Sequence, residues 1–279
     1  MMIRCPHCGT ENLLINKDCL ACGMSLGFPN VNECSQKEEL NALNKRYKKK
    51  IESARNKGHQ NKIAKFEEEI KKSLAVINID LEYLHSLIVR GAPYSNYQLL
   101  TSGEAREFGR PETDKERLGV EGTIFGSYGR NIRYAALSLD GTGLKSYGDF
   151  AIILSDKAVR LRATLLEENS YNFVKRHKIL AGNKIPKGYR AVWKDRYKLA
   201  VAKLAEKALL TKKENYATIV LESTGDRKKD EFIEVHIYGK ISKESVQAVR
   251  GNSKDAAEKD KIEKIKEYLK KSKKEWIEE

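Results

Sequence analysis

Three features are absent from this sequence of 279 residues, and each absence excludes a class of protein. No apolar stretch at the start of the chain resembles a secretory signal. No run approaches the roughly 20 apolar residues that a membrane-spanning helix needs. Neither glycine pattern that cradles phosphates, G-x-G-x-x-G or the P-loop with its lysine, is present. We therefore expect a soluble, cytoplasmic protein without a membrane partner.

Cysteines are few, but four of the five form two short pairs, Cys5 with Cys8 and Cys19 with Cys22. A two-residue spacer lets one turn aim two thiolates at a metal, and the glycine after each pair permits that turn. The spacing predicts a zinc ribbon over residues 1–30 with these four cysteines as ligands. Because four thiolates complete a tetrahedral shell, the zinc is expected to be structural.

Two alternatives for these cysteines have less support. Two disulfides would need an oxidising compartment, which nothing in the sequence indicates. His7 lies inside the first pair and is expected to be an exposed neighbour rather than a ligand. The fifth cysteine, Cys34, is expected to be a free thiol.

The net charge of +14 is unevenly distributed. The segment from Lys175 to Lys213 holds thirteen Lys or Arg residues against Asp195 and Glu206. Such a segment favours a polyanion, with binding that weakens as salt rises, so nucleic acid or a ribonucleoprotein is the predicted partner. A solvated helical face is the alternative.

Apolar residues recur at three- and four-residue steps from Leu40 to Ile51 and from Ile63 to Leu84. This period predicts two helices, as a hairpin or a short coiled coil, within a helical spacer over residues 35–90. Residues 36–85 would then serve as a spacer or as an arm for homo-oligomerisation.

The remaining chain is predicted to form a mixed α+β domain over residues 91–252 and a charge-laced helix over 253–279. Loops are expected at 101–130 and 185–192. The expected strands are Ile132–Leu139, Phe150–Leu154, Ala158–Leu165, Tyr216–Leu221 and Phe232–Tyr238, with a helix over Arg196–Leu210. The predicted fold class is therefore α+β.

The segment from Phe232 to Tyr238 carries the most unusual side chains. On a strand, Glu234 and His236 share a face with these two aromatic rings, and the intervening isoleucines and valine point to the core. A carboxylate and an imidazole between aromatic rings are typical of a pocket wall. An ordinary polar face of an edge strand is the alternative.

Three clusters in chain order, around Arg133, Ser170 and Glu234, resemble the ADP-ribosyltransferase fold of bacterial toxin-like domains. That family places an Arg or His on an early strand, a Ser or Tyr motif on a second, and a glutamate on a late one. The resemblance spans about residues 120–250. It implies that Arg133 contacts the phosphates of NAD, that Ser170 and Tyr171 line the nicotinamide pocket, and that Glu234 is the catalytic glutamate.

The chemistry that the resemblance implies is cleavage of the nicotinamide–ribose bond through an oxocarbenium-like state. Glu234 would stabilise that positive charge, and Arg133 would neutralise the diphosphate. Tyr147 or Tyr171 would stack on nicotinamide. His236 would act as a base or bind substrate, with a hydrogen-bonded structural histidine as the alternative. Arginine-modifying members carry Glu or Gln two residues before the catalytic glutamate, but this chain has Phe232 there, so the acceptor stays open.

The predicted function is an NAD-dependent ADP-ribosyltransferase-like toxin or defence effector, with an antitoxin or other protein as an expected partner. It would act on nucleic acid or a nucleic-acid-associated target. The first alternative is a non-catalytic zinc-ribbon adaptor that binds nucleic acid. The second is a metal-dependent nuclease that uses Asp149, Glu167 and Glu168.

Overall fold

The computed structural model describes residues 2–94, 119–180, 183–252 and 258–279. The loop expected at 101–130 lies outside the described residues as far as residue 118. Residues 119–125 are helical, and Gly126–Asn131 form a 3-10 turn. The described chain is mixed α+β, as predicted.

Residues 2–94 contain a small hairpin, four helices and one further strand. Strands β1 and β2 are antiparallel, with Met2 opposite Leu13. The elements in order are β1 (Met2–Arg4), β2 (Glu11–Leu13), α1 (Pro29–Cys34), α2 (Lys37–Asn56), α3 (Gln60–Lys71), β3 (Leu74–Ile79) and α4 (Leu81–Ile88).

The second half alternates short strands with helices of very different length. The helix at 119–125 is α5. It is followed by β4 (Ile132–Ser138), β5 (Phe150–Leu154), α6 (Asp156–Val159), β6 (Ala163–Leu166) and α7 (Ser170–Arg176). They continue with β7 (Arg190–Val192), α8 (Arg196–Leu210), α9 (Tyr216–Val220), β8 (Leu221–Glu222), β9 (Glu231–Phe232), β10 (Glu234–Tyr238), β11 (Val246–Gly251), α10 (Lys259–Lys271) and β12 (Glu275–Glu278).

Eight strands form one mixed sheet in the order β12-β11-β5-β3-β4-β10-β6-β7. Neighbours are antiparallel except β11 and β12, which run parallel. Parallel neighbours need a crossover connection, and α10 supplies it. The charged C-terminal segment is therefore helical as predicted, but it also ends in an edge strand that its Lys and Glu content did not indicate.

Alternation along β10 divides its side chains between two environments. Val235 and Ile237 are completely buried in the main core, beneath helices that include α2, α3 and α8. The opposite face of the sheet carries smaller apolar clusters, one of them built around Phe125 and Phe173. Glu234 and His236 point to this second face, so the division predicted from the sequence is confirmed.

The predicted helical spacer is wrong in one element. Leu74–Ile79 is β3, which lies between β4 and β5 near the centre of the sheet. Leu74, Ile77 and Leu81 fit a helical period, but five of the six residues from Leu74 to Ile79 are buried, as in a strand covered on both faces. The region from 35 to 90 is thus part of the main fold rather than a spacer.

The apolar stripes of α2 and α3 are also used within the chain. Leu43, Ile63, Phe66 and Ile70 are buried in the main core. These residues are therefore not exposed for pairing with a second chain in a coiled coil. No helix in the described parts of the chain is long and apolar enough to cross a membrane.

One further predicted strand begins too early, and another is helical over most of its length. Residues Asp156–Val159 form a helical turn, so β6 begins only at Ala163. Tyr216–Val220 is helical although it is rich in β-branched residues, because Tyr216 packs edge-on against Phe66 at 4.9 Å between ring centroids. Tertiary packing outweighs the weak local preference here.

Candidate functional site

The four N-terminal cysteines lie together as the sequence predicts, and we call them the cysteine cluster. Their sulfurs lie within 4.8 Å of one another. Cys5 Sγ is 3.7 Å from Cys22 Sγ, and Cys8 Sγ is 3.6 Å from Cys19 Sγ. Four sulfurs at about 2.3 Å from a tetrahedral zinc are about 3.8 Å apart, so these thiols can hold a zinc ion.

The backbone around the cysteines supports this fit. Gly9 and Gly23 take left-handed φ values of 76° and 70°, which glycine adopts without strain. The backbone N–H of Cys22 is the main cause that lowers the pKa of the Cys19 thiol to about 6, whereas burial and the neighbouring thiols raise the pKa of Cys22 to about 12. His7 is exposed and is not among the clustered donors. Zinc bound here would join the two turns and leave no position for a substrate.

A second polar cluster lies on the sheet, and we call Ser170, Glu234 and His236 the Ser–Glu–His cluster. All three side chains are buried, with His236 only 1% exposed. His236 Nε2 is 2.8 Å from Glu234 Oε2 and 3.2 Å from Ser170 Oγ. The Ser170 hydroxyl donates to Glu234 Oε2, and the Ser170 backbone N–H donates to the same oxygen at 3.0 Å.

Two elements from distant parts of the chain build this cluster. Glu234 and His236 are alternate residues of β10, and Glu234 is paired with Leu166, the last residue of β6. Helix α7 begins four residues later at Ser170, and Asn169 caps it by accepting from the N–H groups of Tyr171 and Asn172. The turn after β6 therefore delivers Ser170 to the side chains of the neighbouring strand.

The donor set fits an ionised carboxylate, which can only accept hydrogen bonds. Glu234 Oε2 receives the Ser170 O–H and N–H and faces His236 Nε2. Glu234 Oε1 has only the Asn169 amide at 3.5 Å among the described residues. Oε1 is thus the less engaged of the two carboxylate oxygens with respect to the described residues.

This geometry differs from a Ser–His–acid triad. In a triad the carboxylate binds the imidazole nitrogen that does not face the serine. Here Ser170 and Glu234 both lie at Nε2 of His236. The imidazole therefore has no path to relay a proton between them, and the cluster is not arranged for nucleophilic serine chemistry.

Aromatic rings and an asparagine fix the position of His236. Phe125 and Tyr134 meet its ring edge-on, at 4.8 and 5.5 Å between centroids. Asn30 of α1 lies across β10 and β6, where its Nδ2 donates to His236 O at 3.2 Å and to Arg162 O at 3.0 Å. Asn30 is only 2% exposed, so α1 is tightly seated on the strand that carries the cluster.

The structure separates the predicted NAD-contacting residues. Strand alternation places Arg133 with Ala135 and Leu137 on the sheet face opposite Glu234. The Arg133 guanidinium donates there to backbone oxygens, including Tyr94 O at 3.1 Å. Ser170 alone of the predicted cofactor contacts joins Glu234 and His236.

The two predicted stacking tyrosines lie elsewhere. Tyr147 packs beside the small apolar cluster of Ala136, Leu144 and Phe232, with the Arg227 guanidinium 4.5 Å above its ring. Tyr171 follows Ser170 but its side chain is exposed.

The acidic residues considered for a nuclease are also divided. Glu167, Glu168 and His177 place one donor atom each within 4.8 Å of one another, but Asp149 is not in this group. Arg46 and Arg176 each lie 2.7 Å from an oxygen of Glu167. These guanidinium groups already compensate the carboxylate charge that a catalytic metal would need.

The basic segment from 175 to 213 is mostly engaged within the chain. Arg196 and Lys203 donate to backbone oxygens. The members that form ion pairs with described carboxylates are Arg176, Lys187, Arg190, Lys198, Lys207 and Lys213. Fewer than half of its thirteen cations therefore remain for an outside partner.

Two contributors to the site were missed in the sequence. Asn30 is the last residue of the predicted ribbon, and Phe125 belongs to a predicted loop. A Pro-Asn step that opens a helix was the only local signal for Asn30. Its role depends on two strands more than 130 residues away, which no local pattern reveals.

Comparison with known proteins gives no further guide to the site. No model of a known protein family matches the chain, and no curated protein matches it.

Proposed function

We propose that this protein is an NAD-dependent ADP-ribosyltransferase in which Glu234 is the catalytic glutamate. The observation that supports it is the meeting of Ser170, Glu234 and His236 in one hydrogen-bonded cluster, although 64 residues separate the serine from the glutamate. Two of the three residues that carry the resemblance to ADP-ribosyltransferases thus lie together. Arg133, the third, lies on the opposite face.

The proposed chemistry depends on Glu234 Oε1. Oε1 would accept a hydrogen bond from a ribose hydroxyl while positive charge develops on the ribose during loss of nicotinamide. Ser170 and His236 hold Oε2 and so fix the plane of the carboxylate. NAD itself would supply the bond that breaks and the nicotinamide that leaves.

Substrate access requires movement in this scheme. Glu234 is only 5% exposed, and Phe125 closes on the ring of His236. Helix α5 and the 3-10 turn that follows it are the elements nearest to that face. NAD binding would therefore displace part of this cover, as in enzymes whose active sites open and close.

The decisive experiment measures nicotinamide release from NAD by the zinc-loaded full chain. Glu234→Gln keeps the size of the side chain but removes its charge, and we expect at least a 100-fold loss of release. Glu275→Gln is the matched control, because Glu275 is exposed on the far edge strand. Equal release by wild type and Glu234→Gln would reject the transferase proposal, as would the absence of release by wild type.

The biological role as a toxin or defence effector rests on the same resemblance. Expression of wild type is expected to arrest cell growth, and Glu234→Gln is expected to permit it. Transfer of labelled ADP-ribose from NAD to the nucleic-acid or protein fraction of a lysate would identify the acceptor.

Nucleic-acid binding without catalysis is the second candidate, and one surface favours it. The outer face of α2 exposes Lys45, Lys48, Lys49 and Arg55, which form no ion pair with any described residue. Glu52 is the only acidic residue among them. Four unpaired cations along one helix face can contact successive phosphates.

Duplex binding at several salt concentrations tests this candidate. Lys45→Glu with Lys49→Glu is expected to weaken binding and to flatten its salt dependence. Lys228→Glu, an exposed charge reversal elsewhere, is the control. Affinity that is unchanged by salt would argue against a polyanion partner.

A further inference from the structure

A cleft of about 420 Å³ opens at the end of the sheet where β6 stops. Side chains from five parts of the chain converge on it. They are Arg46 from α2, Glu167 after β6, Arg176 and His177 at the end of α7, Tyr189 before β7 and Lys203 from α8. A concave site with several convergent polar groups is the usual form of a ligand-binding site.

The charges of the cleft leave a cationic excess. Three cations, Arg46, Arg176 and Lys203, face the carboxylates of Glu167 and Glu168. Burial raises the pKa of Glu168 and lowers that of Lys203, so these two shifts act in opposite directions on the charge of the cleft. An anion is therefore the ligand that the cleft favours electrostatically.

Hydrogen-bond donors remain available in the cleft. Arg176 uses one amino group, NH2, for Glu167 and Glu168, and its NH1 and Nε make no hydrogen bond to a described residue. Lys203 Nζ donates to Phe232 O at 3.1 Å and retains two further N–H groups. A guanidinium fork beside an ammonium group suits the oxygens of a phosphate.

The walls of the cleft are held rigidly. The Arg46 guanidinium stacks 3.9 Å above the ring of Tyr189, and its NH1 donates to Gly188 O at 2.6 Å. His177 packs against Tyr189 on one side and Phe173 on the other, at 4.8 and 4.4 Å between ring centroids. Such packing keeps the cationic groups in place before a ligand arrives.

The cleft and Glu234 Oε1 lie at the same end of the sheet. Glu234 is the first residue of β10, and its partner Leu166 ends β6, so Glu167 and Glu168 continue from that point. Asn169 follows them and reaches Glu234 Oε1 at 3.5 Å. Lys203 binds the backbone of Phe232, two residues before Glu234.

We propose that this cleft binds the diphosphate of the nucleotide substrate, with Arg176 and Lys203 as the phosphate-binding residues. The identity of the nucleotide rests on the proposed function. The diphosphate site itself is inferred only from the charges and hydrogen-bond donors of the cleft. It gives to Arg176 and Lys203 the role that the sequence assigned to Arg133, whose guanidinium donates to backbone oxygens such as Tyr94 O.

Calorimetric titration of the zinc-loaded full chain tests the assignment with two probes, inorganic diphosphate and ADP-ribose. Arg176→Gln is expected to weaken binding of both probes at least 10-fold, since one charged hydrogen-bonding group is lost. Lys175→Gln is the matched control, because Lys175 lies on the same helix, is exposed and does not line the cleft. Lys203→Gln provides the second variant if loss of the Glu167 pair unfolds Arg176→Gln.

The outcomes distinguish failure of the diphosphate-site assignment from failure of the proposed transferase activity. Binding of both probes that is unchanged in Arg176→Gln and Lys203→Gln, or no binding by wild type, would overturn the cleft assignment. Glu234→Gln is expected to bind diphosphate like wild type while losing nicotinamide release. Arg176-dependent binding without any nicotinamide release would retain the cleft and reject the transferase. Binding of ADP-ribose but not of diphosphate would also reject the assignment.

Discussion

The cysteine cluster and the Ser–Glu–His cluster are both compact polar sites, but different forces hold them. The cysteine cluster draws all its donors from residues 5–22, and the apolar cluster beside it consists of Cys5, Cys19 and Leu26 with Ile3 packed against them. The Ser–Glu–His cluster joins residues 64 apart through hydrogen bonds within a large sheet. A local site can depend on its metal, whereas a long-range site depends on the fold around it.

The largest expected effect is on the ribbon. Cys19→Ser or chelation should remove the metal and the structure of residues 2–26, because a structural zinc contributes on the order of 10 kcal/mol to such a domain. Bound zinc per chain and hydrogen exchange of residues 2–26 measure this. Cys34→Ser is the control, since Cys34 is buried in α1 outside the cluster. Equal zinc content in Cys19→Ser and wild type would contradict the tetrathiolate site.

Loss of the Asn30 contact between α1 and the sheet should have a smaller effect on the free energy of unfolding. Asn30→Ala removes an amide that serves oxygens on Arg162, Thr164 and His236, and should lower the free energy of unfolding by about 2 kcal/mol. Urea denaturation measures it, with the exposed Asn41→Ala as control. A loss confined to the ribbon would mean that α1 does not support β10.

Removal of the cluster hydroxyl should cost about 1 to 2 kcal/mol. Ser170→Ala keeps the backbone donor to Glu234 but leaves the carboxylate and His236 without the hydroxyl between them. Urea denaturation should show the difference, and zinc content should stay the same. The exposed Ser53→Ala is expected to leave stability unchanged. A drop in zinc content would show that the two sites are not independent.

The smallest effect depends on pH. Burial raises the pKa of Cys34 to about 12, above its ordinary value of 9.0, so the unfolded chain ionises first. The stability contributed by the neutral thiol is complete below pH 9 and is lost progressively as pH rises from 9 toward 12. The difference between wild type and Cys34→Ala across this range measures it. Parallel curves would contradict a buried neutral thiol.

Features that depend on neighbouring residues were predicted from the sequence, and features that depend on distant residues were not. The four cysteines and the alternation around Glu234 were predicted because spacing and side-chain period act within a few residues. The central strand β3 was missed because Leu74, Ile77 and Leu81 satisfy a helical period as well as a buried strand. The resemblance gave Arg133 a role but no face of the sheet, and one residue of register on β4 decides that its side chain lies opposite Glu234.

The cleft was beyond prediction for a related reason. Arg46 and Lys203 belong to two helices that appeared to serve separate purposes, one in a spacer and one in a basic segment. Only their packing on the same end of the sheet brings them to Glu167 and its neighbours. Pairs such as Arg46 with Glu167 are 121 residues apart in the chain.

The packing of α1 against β10 limits where the chain can be truncated at its N-terminal end. A truncation just after the last zinc-binding cysteine would keep Phe28, which packs on Tyr238 at 5.6 Å, and Asn30 beneath it. A cut a few residues later would remove the Asn30 amide from the backbone oxygens of Arg162 and His236. The boundary between a removable tag and an integral part of the sheet therefore falls between Gly27 and Phe28.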